Sequence, residues 1–107
     1  TFALHNDTPV TPISPLMDVF SAVNRLTSSG KVLGPDQRID VMEALRGVTI
    51  NGAYMQRLED KIGSLEKGKL ADMVILDKDP TKVDPVKLKD IMVEETIVGG
   101  NTVYKRA

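Results

Sequence analysis

The residues of this chain best placed to do chemistry are His5 and Asp7, in the run Phe2-Ala3-Leu4-His5-Asn6-Asp7-Thr8-Pro9. Phe2 to Leu4 is apolar and reads as a strand, and Pro9 marks where regular pairing must stop, because proline has no N–H to give to a ladder. Residues two apart on a strand share a face, so the side chains of His5 and Asp7 are expected to point the same way at its end. A carboxylate just beyond an apolar strand is where α/β proteins and barrels place their chemistry. The same Asn6-Asp7-Thr8-Pro9 run equally suits a turn in which the carboxylate bonds nearby backbone amides. His5 equally suits a strand-end histidine with a local partner.

Other chemistries find little support. His5 is the only histidine and there is no cysteine, whereas a catalytic zinc takes about three protein ligands, usually with histidine among them. A complete metal site inside the chain is therefore not expected. The lack of cysteine also removes disulfides and thiolate nucleophiles, and leans toward a reducing compartment such as the cytoplasm. Lys67 and Lys69 flank Gly68, but the glycine spacing is wrong for a phosphate loop and no Ser or Thr follows the second lysine. Asp72 and Asp77 bracket an apolar run and read as turn and cap residues, and Tyr54 and Tyr104 as packing or rim residues. Fourteen basic against fifteen acidic residues give a net charge of −1, which leaves no electrostatic footprint for nucleic acid or an anionic membrane. No apolar run is long enough to span a bilayer, and no leader-like segment is visible.

The elements that would position His5 and Asp7 follow in order. Ser14 is an N-cap with Pro15 at the first helical position, and Leu16, Val19, Phe20, Val23 and Leu26 recur at helical spacing until Thr27-Ser28-Ser29-Gly30 stops the pattern. Asp40 with Glu43 resembles a capping box for a second helix that buries Val41, Ala44, Leu45 and Val48. A third helix carries Ile50, Ala53, Tyr54 and Leu58 on one side and closes at Gly63. Gly63 to Asp77 then reads as a short strand, a tight turn at Gly68 and a strand Met73–Leu76, continuously apolar and so expected to be covered on both faces. Asp84-Pro85 starts one short turn of helix through Leu88. Ile91 to Val98 is β-rich, and Gly99-Gly100 followed by Thr102-Val103-Tyr104 makes a hairpin. With 41% hydrophobic and 27% charged residues, the composition suits one modest globular unit, and the order of strand, three helices and then strands suits two structural layers dividing near Gly63.

Several of these stretches carry a family likeness. GSLEKGKLADMVILDKDP resembles the C-terminal signature of the amidohydrolase superfamily, EALRGVTINGAYMQRLEDKIG is similar to the helical segment that leads into it, and ETIVGGNTVYKR resembles its closing hairpin. FALHNDTPVTPISPLMDVFSAVNR resembles the last barrel strand and following helix of the amidohydrolase family 3, YtcJ-like branch. The resemblance covers the chain end to end, in order.

It implies an α/β fold: the C-terminal fragment of a (β/α)8 TIM-barrel amidohydrolase plus part of its small β-sandwich domain. On that reading residues 1–62 are the last barrel strand and following helices, and 63–107 are the C-terminal strands of the composite sandwich. The implied activity is hydrolysis of a C–N, amide-like bond by a metal-activated water. A divalent metal, zinc, belongs to the intact enzyme, and none is expected in this fragment. Asp7 matches the aspartate that ends the eighth barrel strand, where it would bind metal or take a proton from the water. His5, two residues earlier, would line the substrate pocket or help orient Asp7. The implied partners are the missing N-terminal part of the same enzyme and a small-molecule substrate, with no nucleic acid and no membrane. The chain opens in mid-strand at Thr1, which suggests a cut or truncated product. Without the rest of the enzyme it is expected to be inactive and, having open sheet edges, to self-associate. The alternative is a non-catalytic structural, interaction or regulatory module of amidohydrolase descent.

Overall fold

The computed structural model describes the whole chain, Thr1 to Ala107. Helices come first and strands after: α1 (Pro15–Asn24), α2 (Val41–Gly47), α3 (Ile50–Met55), β1 (Met73–Leu76), β2 (Val93–Val98) and β3 (Asn101–Lys105), with 3-10 turns at Pro35–Gln37 and Pro85–Asp90. The caps fall where side-chain chemistry puts them. Ser14 Oγ accepts from the Met17 N–H at 3.3 Å, Asp40 Oδ1 from the Glu43 N–H at 2.9 Å, and Asp84 Oδ1 from the Val86 N–H at 3.3 Å, each satisfying a donor that the helix itself leaves free.

Two helices stop earlier than their apolar spacing suggests, and for the same reason. Arg25 takes a left-handed conformation (φ 55°) and its N–H returns to the Ser21 carbonyl at 2.8 Å, ending α1 before Leu26. Leu26 instead pairs with Val32 in an isolated bridge. Arg57, at φ 58°, likewise lies between the end of α3 and Leu58.

The core is a single cluster of Val19, Phe20, Val23, Ala44, Leu88 and Ile91. Three of these come from one face of α1, one from α2, and two from the 3-10 segment and the residue that follows it. Val19 and Leu88 are completely buried. Beside them the buried Asn24 uses its amide twice, donating to the Phe20 carbonyl at 3.0 Å and across to the Pro85 carbonyl at 2.8 Å. A buried polar group is tolerated when bonded in this way.

The sheet is three-stranded and antiparallel in the order β1-β2-β3, with Val74 opposite Thr96 and Thr96 opposite Tyr104. Gly99 and Gly100 both have positive φ, 57° and 83°, as a two-residue hairpin matched to strand twist requires. The two aspartates bracketing β1 tie it to the chain beside it. Asp72 Oδ1 accepts from the Gly99 N–H at 2.7 Å, and Asp77 Oδ1 from the Met92 N–H at 2.9 Å.

Three expectations fail. Phe2 to Leu4 is not a strand: a strand exists only by pairing, no strand lies beside it, and its regular backbone link is the Leu4 N–H to the Gly47 carbonyl at 2.9 Å. No strand forms between Gly63 and Asp72, where turns and bends run instead. Nor is β1 covered on both faces, since Val74 is 50% exposed and Ile75 46%. What the chain holds is a mixed helix-and-strand unit with no parallel strand pair. Its accessible surface is 7659 Å², against roughly 5900 Å² for a compact monomer of this mass.

Leu88→Ala should cost about 2–5 kcal/mol in urea unfolding, because it empties the centre of the one core cluster. Gly63→Ala should also destabilise. Gly63 sits at φ 93°, and a Cβ there would meet the Ala53 Cβ at 2.8 Å and the Ile50 Cα at 2.9 Å. Backbone strain and overpacking together should lower the urea midpoint by the equivalent of about 1–3 kcal/mol.

Candidate active site

The chain reverses at Asp7. Its backbone is left-handed (φ 50°), a conformation aspartate tolerates better than most residues, and its carbonyl accepts from the Val10 N–H at 2.9 Å. The Asp7 N–H donates to His5 Nδ1 at 3.1 Å. With Nδ1 used as an acceptor, the neutral His5 ring carries its proton on Nε2. His5 and Asp7 therefore come together through a tight turn, and not as neighbours on a strand face.

The residue between them anchors the turn. The Asn6 amide nitrogen donates to Asp18 Oδ1 at 2.8 Å and to the Ser14 carbonyl at 3.4 Å, while its oxygen accepts from the Ser14 N–H at 2.9 Å. Thr11 Oγ1 donates to the Asn6 carbonyl, and Thr8 Oγ1 to the Thr11 carbonyl at 3.1 Å. The loop from Asp7 to Ile13 is thus closed at its base onto the start of α1.

His5, Asn6, Asp7, Thr8 and Asp18 line an open cavity of about 470 Å³ whose apolar wall includes Leu4 and Val48. His5 and Asp7 are both exposed in it, and Asp18 is half-buried. Partial burial raises the Asp18 carboxyl above its ordinary range, and the nearby His5 opposes that rise. No three metal-binding side chains come together anywhere in the chain. The residues present accordingly do not make a metal site by themselves; Asp7 offers one exposed carboxylate and His5 one imidazole.

Asn6 and Asp18 were not legible as site residues. Asn6 reads as ordinary turn chemistry and Asp18 as an acid in a first helical turn, and only the closed loop brings them into contact. Lys69 belongs to a separate brace, donating to Ser64 Oγ at 2.6 Å and pairing with Glu66 at 3.0 Å. The Ser64 hydroxyl and Lys69 hold the Glu66 carboxyl below its usual range. Tyr54 and Tyr104 are exposed.

Comparison with known proteins gives a consistent result. A family model described as "Amidohydrolase family" matches residues 1–104. The chain is 36% identical over 104 residues to N-substituted formamide deformylase of Arthrobacter pascens, covering 97% of this chain and 19% of that protein. It is 30% identical over 105 residues to the putative amidohydrolase YtcJ of Bacillus subtilis (strain 168), covering 95% of this chain and 20% of that one. The crystal structure of an amidohydrolase from Thermotoga maritima MSB8 superposes with a TM-score of 0.70 at 27% identity, over 94% of this chain and 22% of that chain. The chain spans about a fifth of the length of these relatives. The family match spans the chain from the loop that presents His5 and Asp7 to the closing hairpin, and the chain belongs to the amidohydrolase family, in its family 3 branch.

Proposed function

We propose that this chain is the C-terminal part of a larger metal-dependent amidohydrolase that hydrolyses a C–N bond in an amide-like small molecule. The observation that carries this reading is the position of Asp7, an exposed carboxylate at the mouth of a cavity, held on a fixed turn just before α1, within a chain matched to the family over residues 1–104. In the intact enzyme a divalent metal, zinc, would supply acidification of water at neutral pH. Since this chain brings no three ligands together, the other ligands come from outside it. Asp7 Oδ takes the proton as the water oxygen attacks the carbonyl carbon, and returns it to the nitrogen as the C–N bond breaks. His5, committed through Nδ1 to the Asp7 N–H, steadies that turn and forms part of the pocket wall.

Two further features support a larger whole. The surface left open exceeds that of a compact monomer of this mass, and an apolar groove of about 570 Å³ runs between α3 and the sheet, lined in part by Ile62, Met73, Val74 and Ile97. On this reading residues 1–62 complete a (β/α)8 barrel, and 63–107 supply strands to a composite sandwich.

In the full-length enzyme, with an N-substituted formamide as test substrate, Asp7→Asn should lower kcat by about 10²–10⁴-fold, the range for a lost general base, with an unchanged circular dichroism spectrum. Undiminished turnover in that variant overturns the assignment. The isolated chain should hydrolyse nothing and should self-associate through the free edges of β1 and β3. A sedimentation-velocity concentration series that shows monomer throughout would contradict the second expectation.

A further inference from the structure

Asp7 has no rigid strand beneath it. What holds its turn is the Asn6 side chain, which bridges to both backbone groups of Ser14 and to Asp18 Oδ1. Ser14 is itself fixed as the N-cap of α1, with its carbonyl accepting from the Met17 and Asp18 N–H groups at 2.9 and 3.2 Å. The next residue of α1, Val19, is completely buried in the core. Asp18 is therefore the side chain through which the packed helix grips the turn. Its 2.8 Å bond to the Asn6 amide is the shortest of the three that this amide makes.

The chemistry of that bond is directional. Asn6 must donate, which an aspartate in its place cannot do when ionised, and residue 18 must accept, which an asparagine can do as well as an aspartate. We infer that Asp18, acting through Asn6, is a positioning residue that sets the orientation of Asp7 toward the reacting centre. The inference rests on the assignment of Asp7 above. Asp18 lines the same cavity but is spent on the amide of Asn6; its role is to accept a hydrogen bond, and its negative charge is dispensable.

The test compares Asn6→Ala, Asp18→Leu, Asp18→Asn and Asp7→Asn in the full-length, zinc-loaded enzyme with an N-substituted formamide. It is paired with amide hydrogen exchange at Asp7 and Ser14 in the metal-free protein. Asn6→Ala and Asp18→Leu should each reduce kcat about 100-fold with little change in KM, as misplacement of a reacting group does. Both should speed exchange at the Ser14 N–H, and Asn6→Ala the more, because it removes the acceptor of that bond. Asp18→Asn should recover most of the turnover lost in Asp18→Leu and restore slow exchange. A loss of activity in Asp18→Asn equal to that in Asp18→Leu overturns the inference, because the charge itself would then be required. So does undiminished kcat in Asn6→Ala while Asp7→Asn is inactive, which leaves the Asp7 assignment standing. Undiminished kcat in Asp7→Asn removes that assignment and the inference together.

Discussion

The burial of Leu88 against the Val19 face of α1 is the constraint on which the rest of this chain depends. It joins a helix near the start of the sequence to a 3-10 segment near the end, and these two residues are the only large side chains with no solvent exposure. Around them Phe20, Val23, Ala44 and Ile91 complete the core, and the Asn24 amide bonds the Pro85 carbonyl at its edge. Directional bonding adds what apolar burial lacks: it fixes the rotation of α1 against the 3-10 segment as well as their separation. The sheet follows directly from Ile91, through Met92 into β2, so the docking that holds α1 also places the strands.

The same docking reaches the candidate site through a short path. α1 begins at Pro15, its cap Ser14 is gripped by Asn6, and Asp7 is the next residue along the chain. The role proposed for Asp7 requires its direction to be set to within a fraction of an ångström. An exposed loop supplies no such precision on its own, because too few packed atoms oppose its motion. Tying the loop to the first turn of the most buried helix lends it the rigidity of the core. Asp7 itself is a left-handed, non-glycine residue, a conformation that persists where the surrounding structure over-determines it.

Local chemistry was legible in the sequence wherever one residue acts on a near neighbour. Ser14, Asp40 and Asp84 cap helices because their side-chain oxygens reach amides two or three residues on. Gly99-Gly100 turns a hairpin because both positions need positive φ. Legibility ended where the outcome depends on distant partners. Phe2 to Leu4 has the composition of a strand, but composition cannot provide a neighbour to pair with. Met73 to Leu76 has the composition of a doubly covered strand, yet Val74 remains half exposed because it lines an open groove beside α3 and is not packed against it. The early ends of α1 and α3, at left-handed Arg25 and Arg57, had no marker either, since arginine carries no preference for that conformation.

Those two failures have one physical cause. Composition records the environment in which a segment is stable, and both segments are composed for more cover than this chain supplies. The accessible surface, well above that of a compact monomer of the same mass, is the same deficit expressed as area. The candidate site is likewise open: the exposed Asp7 carboxylate and His5 imidazole line the cavity with Asp18, whose carboxylate is taken up by the Asn6 amide, and no three side chains are grouped to hold a metal ion. Apolar segments left half exposed and a carboxylate left open to a cavity are distinct features, one of packing and one of polarity. A single larger body packed over β1 and the mouth of the Asp7 cavity would cover both, as the proposed function requires.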